Sequence, residues 1–150
     1  MKIMMMKCKR VTTHDELMQA AKVREEVFVK EQGVPSELEI DEYDISPDAC
    51  YHFIVVEEGQ AIAAGRFKRF EEEAAKMQRI AVLKPYRGMG VGKLLLQKME
   101  EEAKADGFKA SVLDAQCSAE VFYSKLGYLV ESEEPFLDAD IWHVRMRKSL

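Results

Sequence analysis

At 150 residues the chain holds one domain with a substantial core and is too short for two comfortable ones. Its 47% hydrophobic and 33% charged residues suit a soluble globular protein, and a net charge of −5 with no evident basic patch argues against general nucleic-acid binding. No run could span a bilayer, Met1 to Lys9 lacks the apolar stretch of a signal peptide, and the scattered Cys8, Cys50 and Cys117 point to reduced thiols in a cytoplasmic setting.

Residues 3–11 read as a first strand. Thr13, with Glu16 three positions on, has the form of a capping box. The helix it opens buries Leu17, Ala20, Ala21, Val23, Val27 and Phe28, a helical rather than alternating pattern. Gly33 and Pro35 end it, and an acidic stretch from Glu37 to Asp48 follows. Residues 51–57 and 60–69 are apolar runs on either side of Glu58-Gly59, which reads as a hairpin. After a charged turn at Glu71 to Glu73, residues 76–83 make another strand, ended by Pro85. From about Gly90 a strong helix sets Val91, Leu94, Leu95, Met99 and Ala103 on one stripe, with Glu100 and Lys104 paired on the wet side. Asp106-Gly107 stops it. A strand at 109–115, a short helix at 118–126 ending at Gly127, and strands at 128–131 and 141–148 complete the chain. No repeat or linker interrupts it, so residues 1–150 are expected to form one domain, a mixed sheet with helices on its faces.

The sharpest motif is Arg87-Gly88-Met89-Gly90-Val91-Gly92, between a strand and a helix. Glycines let backbone N–H groups approach a ligand closely, and the helix N-terminus adds unpaired donors and partial positive charge, a seat for phosphates. Arg87 and Lys93 are close enough in sequence to add charge. The bland alternative is a glycine-rich turn that binds nothing. A Walker loop would need Ser or Thr after Gly92-Lys93, and Leu94 stands there. A dinucleotide motif fits Gly88 and Gly90, and Asp114 at a later strand end, but meets Lys93 in place of the third glycine and follows hairpins rather than a βαβ unit. His14, His52 and His143 are too scattered for a preformed metal site.

Arg87, Gly90 and Gly92 after the strand, with Ala119, Phe122, Tyr123 and then Gly127-Tyr128 downstream, resemble the GNAT superfamily of acetyl-CoA-dependent N-acetyltransferases. The string from Val23 to Gln32, with Phe136-Leu137-Asp138-Ala139 and His143, resembles its ElaA-like branch. The resemblance covers essentially the whole chain. It implies an α/β (α+β) fold: a mixed, mostly antiparallel central sheet with helices on both faces. It also implies a V-shaped opening between the strands near 80 and 112 for the pantetheine arm. Backbone at Ile80, Ala81 and Val82 would pair with that arm, and Arg87, Gly88, Met89, Gly90, Val91, Gly92 and Lys93 would hold the pyrophosphate. Gln116 and Phe122 would line the cofactor side, and Tyr123 would protonate the leaving thiolate. Tyr123 as a packing aromatic alone is the alternative. Acetyl-CoA is the implied cosubstrate, with no metal, and a small-molecule or peptide amine the acceptor. Neither nucleic acid nor membrane is an implied partner, and a homodimer stays open.

Two positions depart from the family pattern. Many relatives place an acidic general base where this chain has Gln78, and Asn where it has Gln116. An amine must lose a proton to attack, so His143 is the first candidate base, because a histidine side chain needs the least adjustment for that work, and Glu31 the second. Each could equally be structural. Arg24, Phe28 and Gln32 are the acceptor-side candidates, with Arg24 suited to a carboxylate. Glu37, Glu39, Asp41, Glu42, Asp44 and Asp48 could steer a cationic amine or simply face solvent. A non-catalytic acyl-CoA-binding module remains the competing class.

Overall fold

The computed structural model describes residues 5–150. Strand β1 (Lys7–Arg10) is shorter than its sequence suggests, and the expected start at residues 3 and 4 lies outside the described residues. Thr13 caps helix α1 (His14–Arg24) in the expected capping box: its hydroxyl accepts from the Glu16 N–H at 3.1 Å, and the Glu16 carboxylate returns to the Thr12 and Thr13 N–H groups. The helix then loosens. Glu25–Glu31 form a π-helical segment, closed by the Gln32 N–H donating to the Val27 carbonyl at 3.1 Å. Apolar spacing cannot announce such a widening, because it changes the ladder by one residue without changing which side chains are apolar.

A one-turn helix α2 (Ser36–Glu39) and a 3₁₀ turn at Glu42–Asp44 follow. Strand β2 (Tyr51–Glu57) folds back onto β3 (Gln60–Glu71) through Glu58 and Gly59, whose φ values of 50° and 78° are the left-handed pair a two-residue hairpin turn needs. Strand β4 (Ala74–Val82) and a 3₁₀ turn at Lys84–Tyr86 lead to helix α3 (Val91–Ala105). Then come β5 (Ala110–Gln116), a 3₁₀ turn at Cys117–Ala119, α4 (Glu120–Lys125), β6 (Leu129–Val130), β7 (Phe136–Asp138) and β8 (Ile141–Ser149). The short β7 was not expected. Its turn to β8 uses Ala139 and Asp140 at φ 51° and 62°, without the glycine that would have signalled a hairpin.

The chain resolves into two compact units: one runs up to Phe67 and takes in Arg79–Met99, the other comprises Lys68–Gln78 and Glu100–Leu150. Strands β3 and β4 and helix α3 pass through both. In the first unit β2 pairs antiparallel with β1 and β3. Leu17, Ala20, Val23 and Val27 bury against Val11, Ile54, Ala61, Ala64 and Ala81. Gly65, the next residue along β3, faces the other way: a Cβ there would lie 2.9 Å from the Met99 sulfur and 3.4 Å from Leu95. Successive strand residues point to opposite faces, so α1 and the start of α3 cover opposite sides of β3.

In the second unit β4 pairs parallel with β5 over Ala74–Met77 and Ala110–Leu113, and β8 runs antiparallel to β5, β6 and β7. The sheet is thus mixed and mostly antiparallel. Glu100 corrects one expectation. Instead of pairing with Lys104 in water, its carboxylate accepts from the Tyr128 hydroxyl at 2.7 Å and from Lys148 at 2.9 Å. The buried Tyr128 phenol needs an acceptor, and Glu100 lies within its reach.

Candidate functional site

Each unit carries part of the expected site. In the first, Ala81 is buried against α1, while Ile80 and Val82 on either side are only partly covered. The chain then turns through Gly88 and Gly90, whose φ values of 78° and 80° need glycine. The first bond of the α3 ladder runs from the Leu94 N–H to the Gly90 carbonyl at 3.0 Å. The N–H groups of Val91, Gly92 and Lys93 therefore precede the ladder, and no acidic residue stands in this first turn. Met89 is half-buried in the loop and Lys93 is exposed.

Arg87 is already engaged. Its Nε donates to the Val82 carbonyl at 2.9 Å, and its two terminal nitrogens donate to both oxygens of Glu31 at 2.5 and 2.7 Å. Those bonds hold the Glu31 carboxyl below its ordinary range, which makes it a weak proton acceptor. Phe28 packs at the margin of the α1 core, and Gln32 is exposed just beyond the π segment.

Arg24, expected on the acceptor side, is 1% exposed and its guanidinium is spent internally. Its guanidinium donates to Glu39 Oε1 at 2.9 Å, to the Glu39 carbonyl at 3.0 Å and to both oxygens of Asp44 at 2.6 and 3.1 Å. Arg66, equally buried, bonds Asp41 at 2.6 and 2.8 Å and Asp44 at 2.9 Å. Arg79 adds a contact to Glu39 at 3.3 Å. The acidic stretch is thus, at Glu39, Asp41 and Asp44, the internal counter-ion of three arginines rather than a free steering surface. Burial alone would raise Asp44, yet Arg24 and Arg66 hold it well below the usual carboxylate range. Arg79, which sequence reasoning passed over, lies within β4 at a left-handed φ of 56°; nothing in its local pattern announces this.

In the second unit, Gln116 ends β5 in register with His143 on β8. His143 is 8% exposed, its ring is stacked with Phe136 at 6.0 Å, and its Nδ1 lies 2.7 Å from the Ile141 carbonyl. A carbonyl only accepts, so Nδ1 carries the proton and Nε2 is the basic nitrogen. Phe122 on α4 is partly exposed, and Tyr123 is buried edge-on between Phe122 and Tyr128 at 5.0 and 6.0 Å. The two tyrosines differ in one respect. Tyr128 donates to Glu100 and accepts from Ser111 at 2.6 Å, whereas among the described residues nothing hydrogen-bonds the Tyr123 hydroxyl. Burial pushes the Tyr123 phenol up to about 12.

Comparison with known proteins decides the family. The model of the acetyltransferase (GNAT) domain matches residues 12–150. This chain is a GNAT acetyltransferase. It is 42% identical over 143 residues to an uncharacterized N-acetyltransferase of Bacillus subtilis, YjcF, covering 95% of this chain and 99% of that one. The crystal structure of Escherichia coli ElaA superposes with a TM-score of 0.82 at 25% identity, over 96% of this chain and 99% of that one. The fold is also shared, at TM-score 0.69 and 19% identity, by the PaiA N-acetyltransferase of Thermoplasma acidophilum, solved in complex with coenzyme A, over 97% and 99% of the two chains. Among the described residues of the acetyltransferase no helix is long and apolar enough to cross a membrane.

Proposed function

We propose that this acetyltransferase moves the acetyl group of acetyl-CoA directly onto a primary amine of a small molecule or peptide. The observation that carries the reading is the β4–α3 loop. Two positive-φ glycines deliver the chain into a helix whose leading N–H groups precede its ladder and whose first turn is free of acid, an arrangement suited to a pyrophosphate. Backbone at Ile80, Ala81 and Val82 would meet the pantetheine arm, with Gln116 and Phe122 on the cofactor side.

In the reaction, the neutral amine attacks the thioester carbonyl and forms a C–N bond. As the C–S bond breaks, the sulfur takes a proton from the Tyr123 hydroxyl. A phenol is protonated at neutral pH in any case, and a Tyr123 hydroxyl with no hydrogen-bond partner among the described residues is free to donate, which supports that role. The proton shed by the amine goes to a base, for which His143 is the better candidate: its Nε2 is basic, whereas Glu31 is held by Arg87. Phe28 and Gln32 are proposed on the acceptor side, and Arg24 is left to the buried ion-pair network.

Thiol release from acetyl-CoA with a panel of polyamines, amino sugars, amino acids and peptides tests this. Turnover with at least one amine is expected. Binding of acetyl-CoA without turnover across the whole panel would instead favour a non-catalytic acyl-CoA-binding module.

A further inference from the structure

The Arg87 side chain joins three pieces of the first unit. Its Nε closes the turn onto Val82, the last residue of β4, and its fork grips Glu31, the last residue of the π-helical segment. A bidentate guanidinium–carboxylate pair fixes both distance and plane, which a point charge cannot do. At Gly88 the loop it holds gains nothing from side-chain packing. A Cβ at Gly88 would meet nothing within 4 Å, so Gly88 serves backbone conformation, not packing, and glycine leaves that conformation entropically costly to keep. With Glu31 against it, Arg87 also adds no net charge toward an incoming phosphate.

We propose that Glu31 is a positioning residue for the cofactor loop: by chelating Arg87 it holds the loop in the conformation that receives the phosphates of acetyl-CoA. Arg87 then acts as a clamp before it acts as a phosphate ligand, and the π segment, with Phe28 upon it, is tied to the loop. This rests on the acetyl-CoA reading above.

The two roles for Arg87 predict opposite signs. Removing the negative charge of Glu31 beside a phosphate site would tighten binding by Coulomb attraction alone. A clamp predicts weakening. Binding of CoA to wild type, Glu31→Gln, Arg87→Gln, Arg87→Lys and the double variant Glu31→Gln/Arg87→Gln is measured by calorimetry, with thermal melting confirming that each folds. The expected result is a loss of roughly 3- to 10-fold in each single variant, with the double no worse than the worse single. Arg87→Lys should lose as much as Arg87→Gln, because lysine keeps the charge but not the fork. With an acceptor found in the amine screen, Glu31→Gln should raise KM for acetyl-CoA and restore the wild-type kcat at saturation, which a lost base could not do. Tighter CoA binding in Glu31→Gln, or full retention in Arg87→Lys, would overturn the clamp and leave the acetyl-CoA reading standing. A wild-type protein that does not bind CoA would overturn both.

Discussion

Two sets of ion pairs in the first unit use the same chemistry for different ends. Around α2 and the following turn, Arg24 and Arg66 have side chains 2% and 1% exposed, and Asp44, which both of them touch, is 5% exposed. At the cofactor loop, Arg87 and Glu31 are 39% and 36% exposed. A buried pair cannot lose one member without stranding the other, whereas an exposed pair is screened by water and contributes little to stability. The first set therefore maintains the fold, and the second is free to be adjusted for binding. The second unit repeats the contrast with tyrosines: Tyr128 is fully bonded, and Tyr123 keeps its hydroxyl unspent.

The tyrosine pair offers the largest effect. Tyr123→Phe should lower turnover by roughly one to four decades while acetyl-CoA binding and the melting temperature stay close to wild type. Tyr128→Phe should do the reverse, costing about 1–3 kcal/mol of stability because Glu100 and Ser111 lose their shared partner. Equal rates for Tyr123→Phe and wild type at saturating substrate would mean that the thiolate leaves unaided.

Arg24→Ala comes next. It should destabilise by about 3–5 kcal/mol in urea unfolding, since Glu39 and Asp44 would remain buried without it. A cost under about 1 kcal/mol would place this network with the exposed pairs and erase the distinction.

Acid should reveal the same network. Asp41 and Asp44 are held low in the folded chain because their arginines outweigh burial. Their contribution is full above the unfolded value of about 4 and is lost as pH falls through the folded values. Glu39 works in the opposite sense: burial raises it, so protonation relieves a cost as pH falls through its folded value. Denaturation midpoints should decline below about pH 4, and the decline should be shallower in Asp44→Asn. A wild-type midpoint unchanged down to pH 2 would show that the arginines do not depend on charged partners.

The smallest effect is expected at the clamp. Glu31→Gln and Arg87→Gln should each change folding stability by less than about 1 kcal/mol, read by the same urea titration. A larger loss would make the pair structural, and any weakening of CoA binding would then have to be measured against partial unfolding.

Local signals carried much of this protein in the order of its residues. Thr13 with Glu16, Glu58-Gly59 and the glycines from Gly88 to Gly92 act on their own neighbours through a cap, a hairpin turn and a helix entry, so their spacing alone foretold them. The apolar stripes foretold α1 and α3 for the same reason, and the loop together with Ala119, Phe122 and Tyr123 was enough to reveal the family. The fate of each charge lay elsewhere. Glu39, Asp41 and Asp44 read as part of an acidic run that steers an amine or faces solvent, Arg24 as an acceptor-side cation and Glu31 as the second candidate base. Their partners lie 15, 20, 25 or 56 residues away, and only the folded chain pairs Arg24 with Glu39 and Asp44, Arg66 with Asp41, or Glu31 with Arg87. A charge is defined by what lies opposite it in space, and sequence order carries almost none of that information.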